Sequence, residues 1–335
     1  MLFKKLVTSH VGSFPLIHSW ENIRRIFRDM ISIGIDLPPF PQMRNFIDMY
    51  LEPLAKLGIL RKSGTIYFAS EKVLLEEKPP PVEILEAKIT ANLAKDVKFN
   101  GILRAPITGP FTLSSRVYLS KETNLSSTAL AKKDLVLGFF AEYVRSFVKQ
   151  MVNLGYKFIV IDEPILANIV GRKIMLYDYR EEDIVETYSQ ILKPAVSKEI
   201  LKGTHVCGKL PKRLPQILAE VDILSVLNHE FKDSPENYEV FSKELLEKHG
   251  KILSPGILSS KRLQVESFEE TYGLLRKLLE KFGERVNIIS ADCGFGALRT
   301  GETSSSEAYN IAKHKLKLLA NVVKRANKEL LRLNG

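Results

Sequence analysis

The sequence predicts an α/β protein, a (β/α)8 barrel of the TIM type folded as a single domain over residues 1–335. Three observations predict it. Eight short apolar, β-branched runs alternate with longer amphipathic segments, the pattern of β/α units around a parallel sheet. The residues able to do chemistry fall at or just beyond the C-terminal ends of these runs, where a barrel of this kind gathers its active site. No glycine-rich GxGxxG or GxxxxGK[ST] fingerprint is present, so the competing open doubly wound sheet lacks its phosphate-binding turn.

In chain order the runs are LVTSHV (6–11), TIYFA (65–69), ILRAPIT (102–108), KFIVID (157–162), GTHVCG (203–208), DILSVLN (222–228), KILSPGIL (251–258) and VNIISAD (286–292). Helical periodicity fills the intervals at 19–34, 81–97, 130–155, 180–200, 267–283 and 304–331. Ser267 stands three residues before Glu270, and Ser304 three before Glu307, the spacing of a capping box at a helix start. EEKPPPVE (76–83) reads as a rigid connection between elements. Trp20, in HSWENIRRIF, reads as a helix-packing anchor.

Composition narrows the class. With 45% hydrophobic and 26% charged residues the chain can bury a large core. Two cysteines in unlike contexts give no disulfide framework, which points to a reducing cytoplasm. The N-terminal apolar character breaks at Thr8, Ser9 and His10, too early for a signal peptide, and no stretch approaches the roughly 18 apolar residues of a membrane helix. The formal charge is +10, yet Lys and Arg are interspersed with Glu and form no basic stripe with interleaved aromatics, so no nucleic-acid partner is expected. Abundant Lys, Glu and Arg beside few Gln and Cys resembles a thermophile's composition. A basic surface also favours an acidic substrate or partner.

The chemistry centres on GTHVCG. Side chains at i and i+2 of a strand share a face, so His205 and Cys207 project together. On its own such a pair is weak evidence, because buried cysteines and histidines are commonly core residues. The other cysteine, Cys293 in SADCGFGAL, ends another expected strand, and Glu230 follows a third. An imidazole, two thiolates and a carboxylate form a tetrahedral set suited to zinc. His205, Cys207, Glu230 and Cys293 are therefore the candidate Zn2+ ligands. His229 competes with Glu230, since alternation sends these neighbours to opposite faces.

HVGSFP, ITGPFTL, IDEP, HVC, NHEF, SPGIL and DCGFG together, in this order, resemble the catalytic C-terminal domain of the cobalamin-independent methionine synthase family, here without that family's N-terminal barrel. The resemblance implies zinc-assisted transfer of a methyl group to the thiol of L-homocysteine. It also implies a role for Asp162, with Glu163 beside it, at the substrate amino group, and for Ser13 with the backbone of Val11 and Gly12 at its carboxylate. Arg44 and Asn45 match a further substrate-binding segment whose upstream glutamate is missing. Three positions depart from the folate-using members: Arg116 replaces a pterin-stacking tryptophan, Asn168 a pterin-binding glutamate, and Lys261 the proton-donating histidine.

Transfer from N5 of methyltetrahydrofolate needs a general acid for a poor leaving group, and an ordinary lysine is a weak acid at neutral pH. A methyl-corrinoid needs no such proton. The chain therefore looks more like the short core methionine synthases that use a methylated corrinoid, which makes a corrinoid protein, or a separate N-terminal-half chain, an expected partner. Other readings are a different zinc-dependent thiol methyltransferase, one acting on coenzyme M for example, a uroporphyrinogen-decarboxylase-like enzyme, and a non-catalytic zinc-stabilised subunit that docks a corrinoid protein.

Overall fold

The computed structural model describes residues 2–171, 174–301 and 303–333. Its strands are β1 (Val7–Thr8), β2 (Arg61–Ser63), β3 (Ile66–Phe68), β4 (Arg104–Thr108), β5 (Val117–Tyr118), β6 (Phe158–Asp162), β7 (Leu201–Val206), β8 (Val226–Glu230), β9 (Ile252–Gly256) and β10 (Ile288–Ile289). β4, β6, β7, β8 and β9 form a continuous parallel ladder. Parallel bridges Leu253 to Val286 and Gly256 to Ser290 carry it on to β10, which pairs in parallel with β1.

The ring closes through segment 36–42. Ser9 bridges Leu37 on one side and Pro39 bridges Arg104 on the other. The Leu37 N–H donates to Thr8 O (2.9 Å), the Arg104 N–H to Pro38 O (3.0 Å) and the Phe40 N–H to Arg104 O (3.2 Å). Eight parallel staves result, the architecture the sequence predicts. One stave is corrected. TIYFA was expected as the second, but it forms β3, antiparallel to β2 and parallel to β5 in a separate three-stranded sheet. The true second stave contains Pro38, Pro39 and Pro41, which have no N–H to give a ladder, so it carries no strand signature.

Helices wrap the ring. Ser267 caps Phe268–Phe282 by accepting from Glu270 N (3.2 Å), and Ser304 and Glu307 exchange bonds at the start of Ser305–Leu333. Trp20 only opens its helix: it is 38% exposed and edge-on to His18, while Ile23, Ile26, Phe27 and Met30 anchor that helix in the core.

Inside the ring the residues stack in layers. Val7, Leu37, Phe158, Val160, Val226 and Ile288 fill the N-terminal end. Above them lies a polar layer in which buried Arg104 donates to Asn228 Oδ1 (2.9 Å) and Ser9 Oγ (3.4 Å). Asn228 Nδ2 in turn donates to Ser254 O (2.7 Å) and Ser290 Oγ (3.0 Å), so one amide ties four staves. The next residues along β6, β7 and β8 in this alternation are Asp162, His205 and Glu230.

Beyond β1 the chain turns at Gly12, whose φ of +140° suits glycine and whose missing side chain leaves room for Pro106; an added Cβ would stand 2.7 Å from Pro106 Cγ. Gly12→Ala is expected to lower stability by about 1–3 kcal/mol, read as a lower urea midpoint at unchanged slope. A midpoint equal to the parent's would contradict this close approach.

Candidate metal centre

His205 lies at the C-terminal end of β7, buried, with Nδ1 3.1 Å from Asn228 O on the neighbouring stave. A carbonyl only accepts, so Nδ1 carries a proton and Nε2 is the nitrogen turned toward the thiols. Nε2 is 3.0 Å from Cys207 Sγ, which is 3.0 Å from Cys293 Sγ. One ligand atom from each of the three falls within 4.8 Å of the others, so three residues from two distant parts of the chain converge on a point.

Glu230 is on the interior side of β8, as Asn228 is, and is fully buried. Its Oε2 accepts from Ser234 Oγ (3.2 Å) and meets Lys261 Nζ (3.4 Å), whereas Oε1 is buried without a partner. An unpartnered buried carboxylate oxygen is costly unless something else satisfies it. It is not part of the tight His205, Cys207 and Cys293 group. His229 takes the opposite face, stacked on Phe241 with Nδ1 3.2 Å from Val206 O. The imidazole, two thiols and the orphaned carboxylate oxygen fit a zinc ion by donor chemistry.

A cavity of about 90 Å³ opens against this cluster, lined among others by Val11, Ser13, Asp162, His205, Cys207 and Cys293. Asp162 Oδ1 is buried and unpartnered there, and burial raises the Asp162 carboxyl to about 7 against the opposing pull of His205 and Arg104. Ser13 Oγ accepts from Gly296 N (3.1 Å), and the Gly12 N–H donates to His10 Nδ1 (3.1 Å). His10 itself is packed between Phe14 and Phe295.

Other expected site residues are engaged elsewhere. Both Glu163 oxygens are occupied at the start of helix Pro110–Ser114, accepting from Phe111 N (2.9 Å), Thr112 N (2.8 Å) and Thr112 Oγ1 (2.6 Å), and burial raises this carboxyl to about 8 despite these donors. Arg44 makes a bidentate pair with buried Glu86 (2.6 and 2.9 Å), and Asn45 Oδ1 caps the turn into Asp48–Lys56. None of the three lines the cavity. Lys261 is a largely exposed partner of Glu230; burial pulls its pKa down, but the charge and hydrogen bond of Glu230 outweigh that and raise it. Conversely Gln42, Phe46, Thr108, Pro164 and Gly294 complete the lining without having been singled out as site residues. Gln42 and Phe46 sit on or after the proline-rich stave; recognising that stave was the signal that could have found them.

The hydrogen bond between the two thiols and burial push Cys207 up, while the same hydrogen bond and then His205 pull Cys293 down against burial, so Cys293 is the more acidic of the pair.

A family model described as the catalytic domain of cobalamin-independent synthase matches residues 83–313. The chain belongs to that family. Methionine synthase of Saccharolobus solfataricus is 28% identical over 285 residues, covering 82% of this chain and 76% of its own. That of Sulfolobus acidocaldarius is 26% identical over 283 residues, covering 82% and 74%. A solved B12-independent methionine synthase from Shewanella sp. W3-18-1, in complex with selenomethionine, matches 98% of this chain and 99% of its own with a TM-score of 0.70 at 16% identity. A methyltransferase from Methanosarcina mazei matches 96% and 94% with a TM-score of 0.66 at 14% identity. These two likenesses show the barrel fold. As a member of the family, the chain is a methyltransferase of the methionine synthase type.

Two outcomes follow for the metal-free protein. A mild oxidant should join Cys207 and Cys293, whose sulfurs need approach by only about 1 Å to reach bonding distance; thiol titration should find both lost together, and saturating zinc should protect both. Asp162 and Glu163 have folded-state pKa values near 7 and 8, above the unfolded carboxyl range, so the folded state holds more protons. The contribution of these two groups is full below the unfolded carboxyl range and is lost as pH rises through about 7 and 8, while buried His10 and His229, lowered to about 3, act in the opposite direction below about pH 6.5. Metal-free melting temperatures should therefore fall between about pH 6.5 and 8, where the carboxyls act unopposed by the histidines; a rise in that window would contradict the burial of Asp162 and Glu163.

Proposed function

We propose that this family member is a zinc-dependent methionine synthase that methylates the thiol of L-homocysteine, with a methylated corrinoid carried by a partner protein as donor in preference to methyltetrahydrofolate.

 The carrying observation is the convergence of His205 Nε2, Cys207 Sγ and Cys293 Sγ beside a small cavity that also holds the unpartnered Asp162 oxygen. Family membership and the methionine synthase relatives support the same reading.

Each residue has a task in it. His205, Cys207 and Cys293, with Glu230 as the fourth and most easily displaced ligand, would hold the zinc. When bound, zinc supplies a Lewis acid that keeps a ligating thiol as thiolate at neutral pH. Asp162 receives the substrate ammonium, and the turn of Val11, Gly12 and Ser13 faces its carboxylate. The narrow cavity excludes water from the reacting sulfur and suits a small amino acid. Lys261 keeps its proton beside Glu230, which makes it a poor acid for a tetrahydrofolate leaving group; this favours the corrinoid. No helix among the described residues is long and apolar enough to cross a membrane, and we assign the enzyme to the cytoplasm.

The test offers zinc-loaded protein homocysteine with either methylcobalamin or methyltetrahydrofolate and measures methionine. Product from the corrinoid is expected; product from folate alone overturns the donor assignment. Cys207→Ala should abolish zinc binding and turnover while the barrel stays folded, and Asp162→Asn should raise the KM for homocysteine about 30-fold or more. A folded parent protein that takes up no zinc overturns the metal reading.

A further inference from the structure

The cluster would hold a metal only if three loops, far apart in sequence, keep their spacing before the ion arrives. Two buried polar side chains connect them. Asp292, next to Cys293, reaches from the end of the β10 stave to the loop after Glu230, where Oδ1 accepts from Phe231 N (3.0 Å) and Lys232 N (3.1 Å) and Oδ2 from Asp233 N (2.5 Å). Asn237, after Ser234, reaches back to β7 and β8. Its Nδ2 donates to Gly208 O (2.9 Å), beside Cys207, and to Glu230 O (2.8 Å), and its Oδ1 accepts from Leu210 N (2.9 Å). Both side chains are fully buried. Gly256 leaves the space for the first: a Cβ there would stand 2.3 Å from Asp292 Cα and 2.5 Å from its Oδ1.

We propose that Asp292 and Asn237 are positioning residues, two clasps that join the loops of Cys207, Glu230 and Cys293 and set the ligand spacing in the metal-free protein. This rests on the zinc reading above. Asp292 acts between Glu230 and Cys293, and Asn237 between Cys207 and Glu230, so each of these three loops is held by at least one clasp. Neither residue touches the cavity, and neither replaces a ligand.

The chemistry dictates the variants. Asp292→Asn puts an NH2 group against a backbone N–H that now has an acceptor, and Asn237→Asp turns a carboxylate oxygen toward two carbonyls. Zinc affinity, from competition with a chromogenic chelator, should fall about 10–100-fold in each. The thiolate-to-metal bands of the cobalt-substituted protein should shift, while the metal-free melting temperature changes by only a few degrees. Folded variants that bind zinc within about twofold of the parent, with unchanged cobalt spectra, overturn the proposal. Hydrogen exchange on the parent needs no variant. In the metal-free protein the amides of Leu210, Lys232 and Asp233, which have no backbone acceptor, should be protected like those of the barrel strands, and free exchange overturns the clasps even if a variant does not fold. A parent that binds no zinc refutes the metal reading instead, and the exchange result still decides whether the clasps exist.

Discussion

The hydrogen bond from His205 Nδ1 to the Asn228 carbonyl is the constraint on which the centre depends. It places a proton on Nδ1 and fixes the ring plane, aiming Nε2 at Cys207. It also couples that nitrogen to the barrel, because the acceptor is the backbone of the residue whose side chain ties the polar layer. Asn228 takes the Arg104 guanidinium on Oδ1 and gives its amide protons to Ser254 and Ser290. A shift of β8 relative to β7 would therefore disturb the imidazole and the interior network at once.

That network contains an expensive group. Arg104 is fully buried, with Nε unpartnered and no carboxylate close enough for an ion pair among the described residues. Burial lowers its pKa to about 10, while Asp162 and Cys293 act in the opposite direction, so it stays charged at neutral pH. A cation held below a cluster of carboxyl and thiol groups offsets part of the charge that their ionisation builds up. The site is thus supported from beneath by fixed charge and from the sides by the loops after β8 and β10.

The sequence made the barrel legible because seven staves are short apolar runs, five of them followed by helical periodicity. Segment 36–42 was illegible for a physical reason: its prolines pair through the few N–H groups left to it and through neighbours on both sides, which no local pattern records. The convergence of His205 and Cys207 was legible because a strand's two-residue period puts them on one face. Glu163, Arg44 and Asn45 carry partners that charge and motif do not reveal. Thr112 with its neighbour's N–H claims the first, Glu86 the second and the local turn the third. Asn228 escaped notice because an asparagine inside an apolar run signals nothing until the opposite staves are known.

The positions that differ from folate-using relatives have a common address. Arg116, Asn168 and Lys261 are all exposed on the connections beyond β4, β6 and β9, Asn168 on the short helix Leu166–Ile169, whereas His205, Glu230 and the Asn228 beneath them are buried on strands. A strand residue is bound by ladder hydrogen bonds on both sides and by interior packing, so changing it disturbs the whole ring. A loop residue faces solvent and can change alone. His205 and Glu230 are therefore fixed by the barrel itself, Cys207 and Cys293 lie just past their strands and lean on the neighbouring loops, and the three exposed positions can change without disturbing either.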